Sequence, residues 1–195
     1  TCALPISTGT FKPGDKVILV PNSVDENYYT DKANRRCFRN DLGDNYYQKA
    51  TFRSSTADGF LRNFYACSPD LLVKYEDVDS SIAVFSELLS VAHATIRRID
   101  FNEVEKMALF GDGIMAYIVY IMLVNNYPKL DLTVFGIDDN KLACFKKAKI
   151  AKANEYKGDK FDTLIECVGG KFSETAINQM IDLAIPGADL ILMGV

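Results

Sequence analysis

The chain has 195 residues, 48% of them hydrophobic and 25% charged, a balance that excludes a disordered tail, a collagen-like fibre or a low-complexity linker. Its 26 acidic residues outnumber the 22 basic ones, and a net charge of −4 argues against a general binder of the nucleic-acid backbone. The apolar run at 115–124 is too short to cross a bilayer, which needs ~20 residues. The five cysteines are odd in number and form no CxxC pair, which favours a reducing cytoplasm over a disulfide framework.

Both ends read as cut: the first residue is not Met, and the last lie inside a strand-like run. Thr1-Cys2-Ala3-Leu4-Pro5-Ile6 reads as the translation of a common sequencing adapter, so residues 1–7 are set aside as an artefact. Lys12-Pro13-Gly14-Asp15 is a turn, followed by a short strand at 17–20 that Pro21-Asn22 stops. Residues 23–50 are polar, aromatic and irregular, an excursion loop. The pattern then predicts strands at 60–67 and 71–73, separated by Ser68-Pro69-Asp70.

Near Asp79 the character changes. Ser80-Ser81 can cap a helix running to about Arg98, with apolar residues at helical spacing. Strands at 106–110, 132–135, 163–167 and 190–193 then alternate with helices at 114–125, 140–153 and 174–184. Such alternation predicts a parallel sheet with helices on both faces.

Gly111-Asp112-Gly113-Ile114-Met115-Ala116 fits G-x-G-x-x-A between a strand and a helix, which is the context a dinucleotide site requires. The first glycine makes the tight turn, the second lets the backbone approach a pyrophosphate, and Ala116 permits close helix–strand packing. The helix start offers free N–H groups to the anion. An acid about 20 residues after Ala116 would bind the ribose 2′-hydroxyl and repel a 2′-phosphate. Gly136 stands there instead, which leans towards NADP, with Lys141 as a 2′-phosphate candidate. A solvated helix-face lysine is an equal alternative.

Several motifs together resemble the zinc-dependent medium-chain alcohol and polyol dehydrogenases: Lys12-Pro13-Gly14-Asp15-Lys16-Val17, Asp58-Gly59-Phe60, Glu87-Leu88-Leu89, Glu166-Cys167-Val168-Gly169-Gly170 and Leu192-Met193-Gly194-Val195. Phe52-Arg53-Ser54-Ser55 and Ala176-Ile177-Asn178-Gln179-Met180-Ile181-Asp182 are more particular. With them the chain resembles, from about Gly9 to its end, the ribulose-5-phosphate reductases of teichoic acid and capsule synthesis.

The resemblance implies part of a GroES-like β domain over 8–80, then a Rossmann doubly wound sheet over 81–195, truncated at both ends. It implies NADPH-dependent reduction of D-ribulose 5-phosphate to D-ribitol 5-phosphate with a catalytic zinc, in the cytoplasm. It also implies a homodimer and a partnership with the cytidylyltransferase of the same pathway.

The implied cofactor residues are Gly111, Asp112, Gly113, Ile114, Met115, Gly136, Lys141, Cys167, Val168 and Gly169. Glu87 is the one residue that matches a metal ligand; the Cys and His-Glu ligands of relatives would lie upstream. No role is carried onto His93. Arg53, Arg97 and Arg98 are candidates for the substrate phosphate, because a guanidinium matches phosphate bidentately. Three alternatives stay open: another zinc-dependent polyol dehydrogenase, a nucleotide-binding chain without catalysis, and a Rossmann methyltransferase. The β-rich stretch before residue 80 and the 166–170 motif argue against the last.

Overall fold

The computed structural model describes residues 11–24 and 49–194. The residues set aside at the N-terminus and nearly all of the excursion loop, Cys37 included, lie outside them. The chain divides into two compact units, Thr1–Ser86 and Glu87–Val195.

In the first unit, β1 (Val17–Leu19) pairs antiparallel with β4 (Leu72–Lys74), and β2 (Asn22–Ser23) with β3 (Thr51–Phe52). The turn before β1 is closed by Asp15, whose amide donates to the Lys12 carbonyl while its carboxylate accepts from the Lys12 amide at 2.9 Å. Gly14 supplies the positive φ of +93° that this turn needs. Asp15 also meets the Lys74 ammonium at 3.2 Å, which ties the turn to β4.

The strand predicted at 60–67 does not form; this stretch is irregular. Leu61 and Phe64 are fully exposed, so no apolar face is buried, and the Arg62 guanidinium turns back to Asp58 at 3.1 Å. The predicted helix from Ser80 is broken in two. α1 (Ser80–Ala83) is capped by Asp79, whose carboxylate accepts the Ser81 amide at 2.8 Å, so the cap lies one residue before the serines. After a turn at Val84 and Phe85, α2 runs Ser86–Ile96.

The second unit is a five-stranded parallel sheet in the order β7-β6-β5-β8-β9. Its strands are β5 (Lys106–Phe110), β6 (Asp131–Gly136), β7 (Lys149–Lys152), β8 (Phe161–Glu166) and β9 (Ala184–Leu192). The helices are α3 (Ile114–Asn126), α4 (Asp139–Leu142) and α5 (Ser173–Leu183). Strand period two sorts the core. Met107 and Leu109 face one side with Ala92 and Ile96 of α2 and Val119 and Leu123 of α3; Ala108 and Phe110 face the other with Ala176 and Met180 of α5. The rings of Phe110 and Phe135 stack at 4.5 Å between centroids on that second side.

The predicted helix at 140–153 is corrected in the same way. Only its first turn is helical; the rest is a turn and then β7, which pairs with β6 from Thr133↔Lys149 to Gly136↔Lys152. Lysines at both ends of β7 hide the strand in the sequence, and only Ala151 is fully buried. β9 starts earlier than predicted. It pairs Ala184 with Phe161, then loops past Gly187 before resuming at Asp189↔Thr163. No helix among the described residues is long and apolar enough to cross a membrane.

Candidate functional site: a cavity at the carboxyl ends of the strands

A cavity of about 410 Å³ opens at the carboxyl ends of β5, β6, β7 and β8. In an open parallel sheet this edge, at the point where strand order reverses, is where ligands bind. Here the reversal is at β5, which β6 follows on one side and β8 on the other.

The glycine turn forms the centre of the cavity. Gly111 has φ +126°, and a Cβ there would lie 2.9 Å from the Cys167 carbonyl oxygen and 3.4 Å from the Ala116 methyl. Both its conformation and its neighbours demand glycine. Gly113 differs. Its φ is −85°, and a Cβ there would have nothing within 4 Å, so the chain itself does not require a glycine. The space belongs to the cavity. Gly113 caps the N-terminus of α3, and the first α-helical bond runs from Tyr117 N–H to its carbonyl at 3.0 Å. The amides of Ile114 and Met115 precede that bond, so they lack helical acceptors and carry the positive end of the helix dipole. These features fit a pyrophosphate.

Asp112 has a role that the motif alone does not reveal. Its Oδ2 accepts the amides of Ile137 and Asp138, each at 2.9 Å. Partial burial raises its pKa, but these two hydrogen bonds and the nearby Lys141 charge outweigh that and hold the carboxyl below its ordinary value. Gly136 is confined: a Cβ there would lie 2.8 Å from a Leu142 methyl and 2.9 Å from the Asp112 Oδ2. Lys141 lines the cavity and approaches Asp138 at 4.0 Å. Asp138 in turn caps α4, accepting from Asn140 and Lys141.

At the other end, Cys167 and Val168 line the cavity. Burial first, and the Glu166 charge second, push the Cys167 thiol up to about 12. Of the ten implied cofactor residues, Gly111, Asp112, Gly113, Gly136, Lys141, Cys167 and Val168 line the cavity, whereas Ile114, Met115 and Gly169 do not. Met115 packs against the core, and Ile114 is exposed. Phe172, Thr175 and Gln179 of the α5 region and Asn154 after β7 line it without having been anticipated. Asn154 follows the stretch where a helix is expected and β7 forms instead.

The remaining candidates lie elsewhere. Glu87 is exposed on the first turn of α2. Arg97 and Arg98 are exposed just after the end of that helix, and none of the three lines the cavity. In the first unit, Arg53 Nε donates to the Tyr65 hydroxyl at 2.8 Å, while its Nη1 is buried with no hydrogen-bond partner among the described residues. Zinc needs at least three protein ligands. Among the described residues no three His, Cys, Asp or Glu side chains come together to hold a metal, so these residues alone do not fit a zinc.

No family model matches the chain. Ribulose-5-phosphate reductase 1 of Staphylococcus aureus is 36% identical to it over 198 residues, covering 97% of this chain and 54% of that protein. The chain resembles the ribulose-5-phosphate reductases. The enzyme of that name from Bacillus spizizenii is 34% identical over 194 residues, with 96% and 54% covered. Among solved structures, S. aureus TarJ in complex with NADPH superposes with a TM-score of 0.69 at 30% identity, covering 94% of this chain and 50% of that one. The alcohol dehydrogenase of Aeropyrum pernix has a TM-score of 0.73 at 17% identity, which speaks for the fold alone. The fold is α/β with a Rossmann-type parallel sheet, and the chain spans about half the length of these reductase relatives.

Proposed function

We propose that the chain serves an NADPH-dependent reduction of D-ribulose 5-phosphate to D-ribitol 5-phosphate, a step that supplies a polyol phosphate for teichoic acid or capsule precursors in the cytoplasm. The reading also takes residues 8–80 as part of a GroES-like catalytic domain and residues 81–195 as the NADP-binding domain. The observation that carries it is the cavity astride the glycine turn, with an open, Cβ-free face at Gly113, in a chain 36% identical to a reductase of that name. A relative solved with NADPH supports the choice of cofactor.

When bound, NADPH supplies a hydride from its nicotinamide ring to the ketone carbon. The chain's own residues bind and orient it. Gly113 would admit the pyrophosphate at the positive end of the α3 dipole, and Lys141, which lines the cavity, would meet a 2′-phosphate. Gly136 adds no carboxylate there. Cys167, a neutral thiol, and Val168 give the far end of the cavity a largely apolar wall.

Arg53 is proposed to meet the substrate phosphate, because its buried Nη1 has no acceptor among the described residues and an anion would satisfy it. Arg97 and Arg98 are exposed and are weaker candidates for the same task. Glu87 is proposed as one ligand of a zinc whose other ligands lie outside the described residues. The homodimer and the cytidylyltransferase partner rest on the resemblance.

The test assays the full-length protein with ribulose 5-phosphate and either NADPH or NADH. Ribitol 5-phosphate formed faster with NADPH is the expected result. Turnover only of another ketose or polyol would favour a different polyol dehydrogenase.

A further inference from the structure

Glu166 is 0% exposed at the end of β8. Its Oε1 accepts the amides of Val168 at 2.7 Å and Gly169 at 2.8 Å, and its Oε2 accepts the amide of Gly194 at 2.9 Å. Both oxygens accept from N–H groups, which suits the carboxylate rather than the acid. No lysine, arginine or histidine among the described residues makes an ion pair with it.

A fully buried anion without a counter-ion is costly, and the three amide dipoles act against that cost. The clamp joins the ends of two strands. Gly194 is forced to be glycine by it, since a Cβ there would lie 2.5 Å from the Gly169 nitrogen and 2.8 Å from Glu166 Oε1. The residue after Glu166 lines the cavity.

The cavity runs from Gly136 and Lys141 at β6, across the glycine turn, to Cys167 and Val168 at β8. In such a crevice the second strand serves the adenosine ribose, so the β8 end takes the nicotinamide half. That half is neutral in the reduced cofactor and carries a positive charge once a hydride has left it.

We propose that Glu166 is a positioning residue that also sets the charge of this end of the site, favouring the oxidised, cationic nicotinamide over the reduced one. The inference rests on the dinucleotide reading above. In the reaction, the hydride goes with its electron pair to the ketone carbon and a proton from solvent completes the alcohol. Glu166 neither gives nor takes a proton in this step. Its contribution is electrostatic, made from a fully buried position where a fixed charge is little screened.

The test is the ratio of the two cofactor affinities, read without turnover. NADPH is titrated by fluorescence and NADP⁺ by competition, in the wild-type protein and in Glu166→Gln. The glutamine keeps the shape and one acceptor oxygen but removes the charge. The expected result is that NADP⁺ affinity falls about fivefold more than NADPH affinity. An equal loss for both, or no loss, leaves Glu166 a structural clamp only and overturns the inference.

If Glu166→Gln fails to fold by circular dichroism, the wild-type protein decides alone, with 2′-phospho-ADP-ribose as the nicotinamide-free reference. NADP⁺ should gain more affinity over that reference than NADPH does; an equal or smaller gain overturns the proposal. Failure of all three nucleotides to bind the wild-type protein would overturn the dinucleotide reading itself.

Discussion

The carboxylate of Asp112 accepts the amide of Asp138 at 2.9 Å, tying the glycine turn after β5 to the loop after β6. The same oxygen takes the Ile137 amide. Asp112→Ala leaves two amides without this acceptor and should lower stability by about 1–3 kcal/mol in urea unfolding. The dependence on pH has a definite sign. The folded carboxyl titrates below its ordinary 3.8, so its stabilisation is complete above about pH 4 and fades as pH falls through the lowered value. Asp112→Asn should lack that fading, and unfolding curves of both proteins between pH 6 and 3 would reveal it. Parallel curves would assign the acid sensitivity to other groups.

The two glycines of the turn should respond oppositely. Gly113→Val places its side chain in open cavity, so the melting temperature should hardly change while NADPH binding is lost. Gly111→Ala forces a Cβ into a positive-φ position against the Cys167 carbonyl and should cost about 2–3 kcal/mol of stability. Thermal melts paired with NADPH fluorescence separate the two. Unchanged NADPH affinity in Gly113→Val would remove the pyrophosphate from this helix start.

Cofactor preference is best tested at Lys141. Gly136→Asp, the obvious exchange, would drive a side chain into Leu142 and Asp112, so its loss of binding would be ambiguous. Lys141→Glu leaves that packing alone. It should weaken NADPH about tenfold or more and leave NADH within twofold, since only the former carries the 2′-phosphate. Equal weakening of both would place the 2′-phosphate away from Lys141.

Glu87 tests the metal reading. In the full-length protein, emission spectroscopy should find one zinc per chain, and Glu87→Ala should reduce it. The exposed position of Glu87 on α2 predicts little change in thermal stability of the apo form. Full zinc content and full activity in the variant would remove Glu87 from the site.

Cysteine chemistry should divide by burial. Cys144 is exposed, whereas Cys167 is buried with its thiol pushed up to about 12. Alkylation at pH 8 followed by mass mapping should label Cys144 and spare Cys167, because the thiolate is the reactive form. Protection of Cys167 should persist in the absence of nucleotide.

What could be read from the sequence was what local spacing encodes. The strand, glycine turn and α3 are contiguous, and each carries its own signal, so their bounds agree with the structure to within a residue. β7 was read as helix because its pattern has lysines at both ends and a single buried residue, and its place beside β6 is set by pairing rather than by composition. The stretch at 60–67 has strand-like residues but nothing to bury them against. The site divides in the same way. The glycines announce themselves, whereas the Asp112 bridge and the Glu166 clamp need partners 26 and 28 residues away. Only the folded sheet brings those partners close.

The strand order also sets the sequence of events in folding. β6 reaches β5 across a single helix, but β8 must return past β6 and β7 before it finds the other edge of β5. Closing the longer loop costs more chain entropy, so the β5-β6-β7 half is expected to zip first and β8 to dock later. The glycine turn sits on the strand shared by both halves, and the Cys167 carbonyl that packs against Gly111 arrives only with β8. The crevice therefore does not exist until the last of these pairings is made, and a nucleotide that grips it adds its binding energy to the late step, acting as a latch on the finished sheet.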